Sequence, residues 1–205
     1  MKIGIMGGTF DPIHNGHLML GQVAYEQFHL DEIWFMPNGN PPHKSSHTIG
    51  SDVQDRLHMV ELAVADTSYF RLEDYEAKKR EVSCSYATLE HMRESYPEHE
   101  FYFIIGADSL FSIERWVQPE RIFPTCTILA AFRDDKNTQD VMEQQIQYLR
   151  EKYHANIELL RSPLVPVSSS NLRECLKNKN SIHGLVPDAV EAYIVQKGLY
   201  GSEDH

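Results

Sequence analysis

Six short apolar or β-branched runs recur along the chain: KIGIM (2–6), EIWFM (32–36), YFRLE (69–73), FYFIIG (101–106), CTILAAF (126–132) and NIELL (156–160). The most apolar of them are hydrophobic at nearly every position, which is the pattern of strands covered on both faces. Helix-patterned segments separate the runs. That alternation implies crossover connections and a parallel sheet, so the expected fold is α/β, doubly wound and Rossmann-like. In such sheets ligands sit at the carboxyl ends of the strands. A length of 205 residues suits a single domain over 1–205, with a C-terminal helical subregion at about 168–200.

Helix boundaries are signalled by capping chemistry. Ser51 and Gln54 read as a capping box opening SDVQDRLHMVELAVAD, in which Val53, Leu57, Val60 and Val64 line one face. Pro187 at a first helical position and Gly198 just past AVEAYIVQK bracket another helix, and Gln139 to Lys152 reads as a polar surface helix. One connection, PNGNPPHKSSHTIG (37–50), is far longer than the usual strand–helix loop of about 2–6 residues. At a strand end it is expected to cover substrate.

The formal net charge of −11 argues against general nucleic-acid binding, which draws its affinity from clustered Lys and Arg. Any phosphate site must be local. No apolar run approaches the roughly 20 residues that cross a bilayer, and MKIGIM leads into a glycine turn instead of a signal-peptide core. A cytoplasmic chain without membrane contact is expected. Cys84, Cys126 and Cys175 form no CxxC pair, so reduced thiols are expected and no zinc ribbon. Oligomeric state has no signature here, and a homo-oligomer stays open.

The stretch GIMGGTFDPIHNGH (4–17) places a glycine turn between the first strand and a helix beginning near Gly16. A helix N-terminus there favours anions. Gly7 and Gly8 permit close backbone approach, and Gly16 keeps the helix start free of a side chain. His14 and His17 are three apart, which on a helix puts both on one face with Cβ atoms about 5–6 Å apart. The spelling is neither the dinucleotide fingerprint G-x-G-x-x-G nor a P-loop. Zinc would need further ligands at a matching spacing, which the chain does not offer, so no resident metal site is expected.

GGTFDPIHNGH resembles the signature of nucleotidyltransferases of the adenylyltransferase superfamily, in which H-x-G-H binds the nucleoside triphosphate. PPHK (41–44), IGADSL (105–110), Trp116 and VSSSNLR (167–173) extend the likeness over nearly the whole chain. In this order they are similar to bacterial nicotinate-mononucleotide adenylyltransferases. The resemblance implies adenylyl transfer from ATP, accompanied by Mg²⁺, to nicotinate mononucleotide. It implies that His14, His17, Lys44 and Arg173 act on the phosphates, and that Gly7, Gly8, Thr9, Phe10, Gly16, Gly106, Asp108, Ser168, Ser169 and Ser170 bind ATP. Ser85, Trp116, Val117, Asp108 and Arg133 are then expected around the mononucleotide, with the Trp116 face attracting a cationic pyridine ring and Asp108 accepting from a ribose hydroxyl. Where the family tends to show S-Y-T-x-x-T-L, this chain has Ser83-Cys84-Ser85-Tyr86-Ala87-Thr88-Leu89. A hydroxyl persists at Ser85, but Cys84 replaces the aromatic residue, which bears on the choice of acid over amide. Two alternatives stay open: a related transferase acting on the amide mononucleotide, phosphopantetheine or a polyol phosphate, and a nucleotide-binding regulatory domain without turnover.

Overall fold

The computed structural model describes residues 1–39, 50–133 and 136–202. All six apolar runs are strands: β1 (Lys2–Gly8), β2 (Glu32–Pro37), β3 (Phe70–Leu72), β4 (Glu100–Gly106), β5 (Thr127–Arg133) and β6 (Ile157–Ser162). They form one sheet in the order β3-β2-β1-β4-β5-β6. Pairing is parallel between β1 and β4, β4 and β5, and β5 and β6. The helices among the described residues are α1 (Asn15–Phe28), α2 (Val53–Val64), α3 (Ser85–Ser95), α4 (Ala107–Ser112), α5 (Lys136–Tyr153), α6 (Ser169–Lys177) and α7 (Asp188–Lys197). Strand order runs outward from β1 in one direction and resumes from β4 in the other. That reversal makes the fold doubly wound. No helix among the described residues is long and apolar enough to cross a membrane.

The chain folds as two compact units. One comprises Met1–Met6, Leu20–Trp34 and Cys84–Leu164. Its core is the apolar sheet surface of Ile3, Ile5, Phe101, Ile128, Leu129 and Leu160, all buried. A Cβ on Gly4 would fall 2.7 Å from Ile33 and 3.0 Å from Leu30, so glycine is what lets those side chains close over β1. Trp34 is sealed and donates its indole N–H to Glu32 at 2.7 Å, so the ring is buried without an orphaned donor.

The other unit comprises Gly7–Met19, Phe35–Ser83 and Val165–His205. Its core draws Met59, Val60, Ala63 and Val64 from α2, Leu172 and Leu176 from α6, and Val190 and Ile194 from α7. Two helix starts differ from the sequence reading. Asp52, not Ser51, caps α2, its carboxylate accepting the Asp55 N–H at 2.8 Å, because the Ser51 hydroxyl is engaged by Asp11. The buried face of α2 includes Arg56 and Met59, while Val53 and Leu57 are half-exposed. Pro187 immediately precedes α7 instead of occupying its first turn, and Gly198 ends it in the left-handed conformation the glycine stop signal predicts.

Candidate active site

In the second unit the turn after β1 is wound tightly around its own side chains. Phe10 adopts a left-handed φ of 50° and buries its ring, which meets the His17 ring edge-on at 5.0 Å and lies under Gly8, where a Cβ would be 3.3 Å from it. A Cβ on Gly7 would meet nothing within 4 Å, leaving that backbone open to close approach. Gly16 is needed for a reason different from the one its place in the sequence suggests. A Cβ there would sit 2.9 Å from His14 Nδ1, so glycine makes room for the imidazole itself.

His14 and His17 do converge. Their rings stack with centroids 3.7 Å apart and planes inclined by 22°. The Gly16 N–H donates to His14 Nδ1 at 3.1 Å, and the His14 N–H donates to His17 Nδ1 at 3.1 Å. A backbone N–H can only donate, so each Nδ1 is an acceptor and each ring carries its proton on Nε2. Burial pushes the His14 pKa down to about 4, and burial together with the neighbouring His14 holds His17 well below the usual histidine value. The pair is therefore neutral at pH 7, presenting two Nε2–H donors in a fixed direction.

Cations surround this turn. Arg173 on α6 donates from Nη1 to the Asp11 carbonyl at 2.8 Å, and the same nitrogen lies 4.0 Å from Asp11 Oδ2. Its side chain is 29% exposed. Ser168 caps α6 by accepting the Asn171 N–H, and Ser169 donates its hydroxyl to the Pro12 carbonyl at 2.9 Å. The Ser169 and Ser170 amides fall in the first helical turn, where N–H groups have no intrahelical acceptor and favour anions.

Three residues of this network were not among the sequence candidates. Asp11 is buried and accepts from Gly50 N–H, Ser51 hydroxyl and Tyr200 hydroxyl, each at 2.6 Å. Arg56, 1% exposed, donates to the Thr9 carbonyl at 2.8 Å and to the Gly39 carbonyl at 3.4 Å. Its Nε has no partner among the described residues. Burial lowers its pKa, against the charge of Asp11, which raises it. Asp11 could have been singled out from the turn motif that contains it; Arg56 is a charge that a hydropathy pattern leaves at the surface, and nothing local marks Tyr200. Lys44 lies outside the described residues.

In the first unit, Gly106 precedes α4 and Asp108 is exposed in its first turn. Asp108 is not the helix cap; Gly106 holds that position without a side-chain bond. Trp116 is half-buried, meeting Phe103 edge-on at 6.3 Å, and Val117 beside it is exposed. Ser85 is the first residue of α3, preceded by Cys84, whose side chain caps nothing. Arg121 forks onto Glu90 of α3 at 2.8 and 2.5 Å, tying the turn after Trp116 to that helix. The Arg133 side chain lies outside the described residues.

The model of cytidylyltransferase-like proteins matches residues 5–175. The chain belongs to the cytidylyltransferase-like family. Among its curated members, a Lachnoclostridium phytofermentans protein named "Probable nicotinate-nucleotide adenylyltransferase" is 46% identical over 199 residues, covering 97% of this chain and 98% of that one. A Clostridium acetobutylicum protein of the same name is 38% identical over the same shares. Among solved structures, Plasmodium falciparum nicotinic acid mononucleotide adenylyltransferase complexed with NaAD superposes with a TM-score of 0.80 at 22% identity, covering 98% of each chain. That likeness establishes the common cytidylyltransferase-like fold.

Proposed function

We propose that the protein is a cytoplasmic enzyme transferring the adenylyl group of ATP to nicotinate mononucleotide, releasing pyrophosphate and forming nicotinate adenine dinucleotide. The observation that carries this reading is the stacked imidazole pair, whose Nε2–H donors are fixed by backbone bonds to both Nδ1 atoms. The 5′-phosphate of the mononucleotide attacks the α-phosphorus of ATP, and the bond to the bridging oxygen of pyrophosphate breaks. A phosphate monoester has a second pKa of about 6 and is mostly dianionic at neutrality, so no general base is required. The demand is for positioning and for neutralising charge on the α-phosphate and the leaving group.

His14 and His17 supply neutral donors to the phosphates, His17 nearest the reacting phosphorus. Backbone groups of Gly7, Gly8, Thr9 and Phe10 line the approach. Arg173 and the Ser168–Ser170 helix start hold the β- and γ-phosphates, and Lys44 brings a further positive charge. Mg²⁺ arrives as the counter-ion of ATP, bound by phosphate oxygens and water. For the mononucleotide, Trp116 offers a face to the pyridine ring, Val117 and Arg133 belong to the same substrate-binding set, and Asp108 takes a ribose hydroxyl. Cys84 leaves the α3 amides without a side-chain cap, which supports the Ser85 end of α3 as the partner of a nicotinate carboxylate.

The test is His17→Ala. Turnover, read as pyrophosphate release from MgATP and nicotinate mononucleotide, is expected to fall by at least about 10²-fold while the circular dichroism spectrum is kept. Near-normal turnover in the folded variant overturns the assignment. Comparison of kcat/KM for the acid and amide mononucleotides tests the second substrate, and a preference for the amide overturns that part alone.

A further inference from the structure

The turn that carries the imidazoles is tied to the far end of the chain by Tyr200. This residue lies in the short 3₁₀ turn Leu199–Gly201 with φ 58° and ψ 24°, a left-handed conformation that is costly for any side chain larger than glycine. Gly198 and Gly201 on either side have φ 62° and 79°. The chain thus reverses through three left-handed residues, and the one non-glycine among them points inward. Its hydroxyl donates to Asp11 Oδ1 at 2.6 Å and lies 3.1 Å from the Ser51 hydroxyl. Burial and the Asp11 charge raise the Tyr200 pKa far above the phenol value, so it stays a donor.

Asp11 divides its oxygens between these contacts. Oδ1 takes the hydroxyls of Tyr200 and Ser51, and Oδ2 takes the Gly50 N–H. Arg173 Nη1 stands 4.0 Å from Oδ2, beyond a hydrogen bond, and is held by the Asp11 carbonyl instead. The space around Gly50 is filled from both sides: a Cβ there would lie 2.9 Å from the Tyr200 ring and 2.9 Å from Arg173 Cδ. A phenylalanine ring would fill its share of that space equally well. What the phenol adds is one of two donors on Oδ1 which, with the Gly50 N–H on Oδ2, hold the carboxylate short of a hydrogen bond to the guanidinium. Without it Oδ1 keeps only the Ser51 hydroxyl, so the carboxylate is held less firmly against closing onto Arg173 and neutralising the charge that the triphosphate needs.

We infer that Tyr200 is a positioning residue for MgATP, acting through Asp11 to keep the Arg173 guanidinium available to the phosphates. This rests on the reading of Arg173 as a phosphate ligand. The experiment is steady-state kinetics on wild type, Tyr200→Phe, Arg173→Ala and the double variant, with both substrates varied. Tyr200→Phe is expected to raise KM for MgATP about tenfold and leave KM for the mononucleotide unchanged. The double variant is expected to match Arg173→Ala alone, since the effect passes through that guanidinium. If Arg173→Ala raises KM for MgATP and Tyr200→Phe does not, the inference fails and the phosphate reading stands. If both raise it and their effects multiply, Tyr200 acts by another route and the inference fails. No effect of Arg173→Ala removes the phosphate reading and the inference with it. Should Tyr200→Phe not fold, Ser51→Ala removes the other donor on the same oxygen and is read against the same outcomes.

Discussion

An alanine at Gly16 would put its Cβ 2.9 Å from His14 Nδ1, 3.0 Å from His14 Cε1 and 3.0 Å from Val167 Cγ1. Non-bonded carbon contacts are best at about 3.5–4.0 Å, so the imidazole must retreat by roughly half an ångström or more. His14 is only 7% exposed and is stacked on His17, so it can retreat only by loosening the bond from the Gly16 N–H or the ring stack. For stability, losing that hydrogen bond costs about 1 kcal/mol, and exchanging glycine for alanine near the start of α1 returns up to about 1 kcal/mol. The two nearly cancel, and Tm should move by no more than about 4 °C. Activity has no such offset. Displacing a preorganised donor by a fraction of an ångström to 1 Å costs on the order of 10²-fold, so kcat/KM should fall about a hundredfold. Pyrophosphate release and a thermal melt on the same preparation check both numbers. Wild-type kcat/KM in a variant that melts normally would refute the idea that the position of the His14 ring sets the rate.

The pH dependence of stability follows from the same imidazole. An ordinary histidine titrates near 6.5 and His14 near about 4, so as the pH falls the unfolded chain takes the proton first. Its contribution is complete above about pH 6.5 and is lost toward pH 4, roughly 3 kcal/mol in all at 1.36 kcal/mol per pH unit. Urea melts at about pH 7 and about pH 5 should diverge less in His14→Gln than in wild type, with the remainder from His17; an undiminished difference contradicts the assignment. Trp116→Ala should raise KM for nicotinate mononucleotide about tenfold with KM for MgATP unchanged, in line with about 1–2 kcal/mol for a cationic ring over indole. The reverse pattern in steady-state kinetics would place Trp116 with the other substrate.

The strands β1, β2 and β4 were legible because strands buried on both faces need nearly unbroken apolar runs, while β3 and β6, partly exposed at the sheet edges, still fall within shorter mixed runs. The turn was legible because glycine and histidine at those positions have few other uses. Legibility ended where a polar group was engaged by a residue distant in the chain. Ser51 has the spelling of a helix cap, yet its hydroxyl serves Asp11, 40 positions away, and the neighbouring Asp52 takes the cap. The α2 face was misread around Arg56 because a hydropathy pattern assigns any arginine to solvent, whereas this one is buried against the Thr9 carbonyl. Tyr200 had no local signal at all, since the partner that gives it meaning is 189 positions away.

Both imidazoles keep the same tautomer because the main chain occupies their other nitrogens. On the proposed assignment, such a pair takes up and gives out no proton as adenylate changes hands, so one protonation state serves both the forward step and its reversal. Pyrophosphate added to the dinucleotide would regenerate ATP along the same path. As with any catalyst, the direction of net flux is set by the concentrations of substrates and products, pyrophosphate among them.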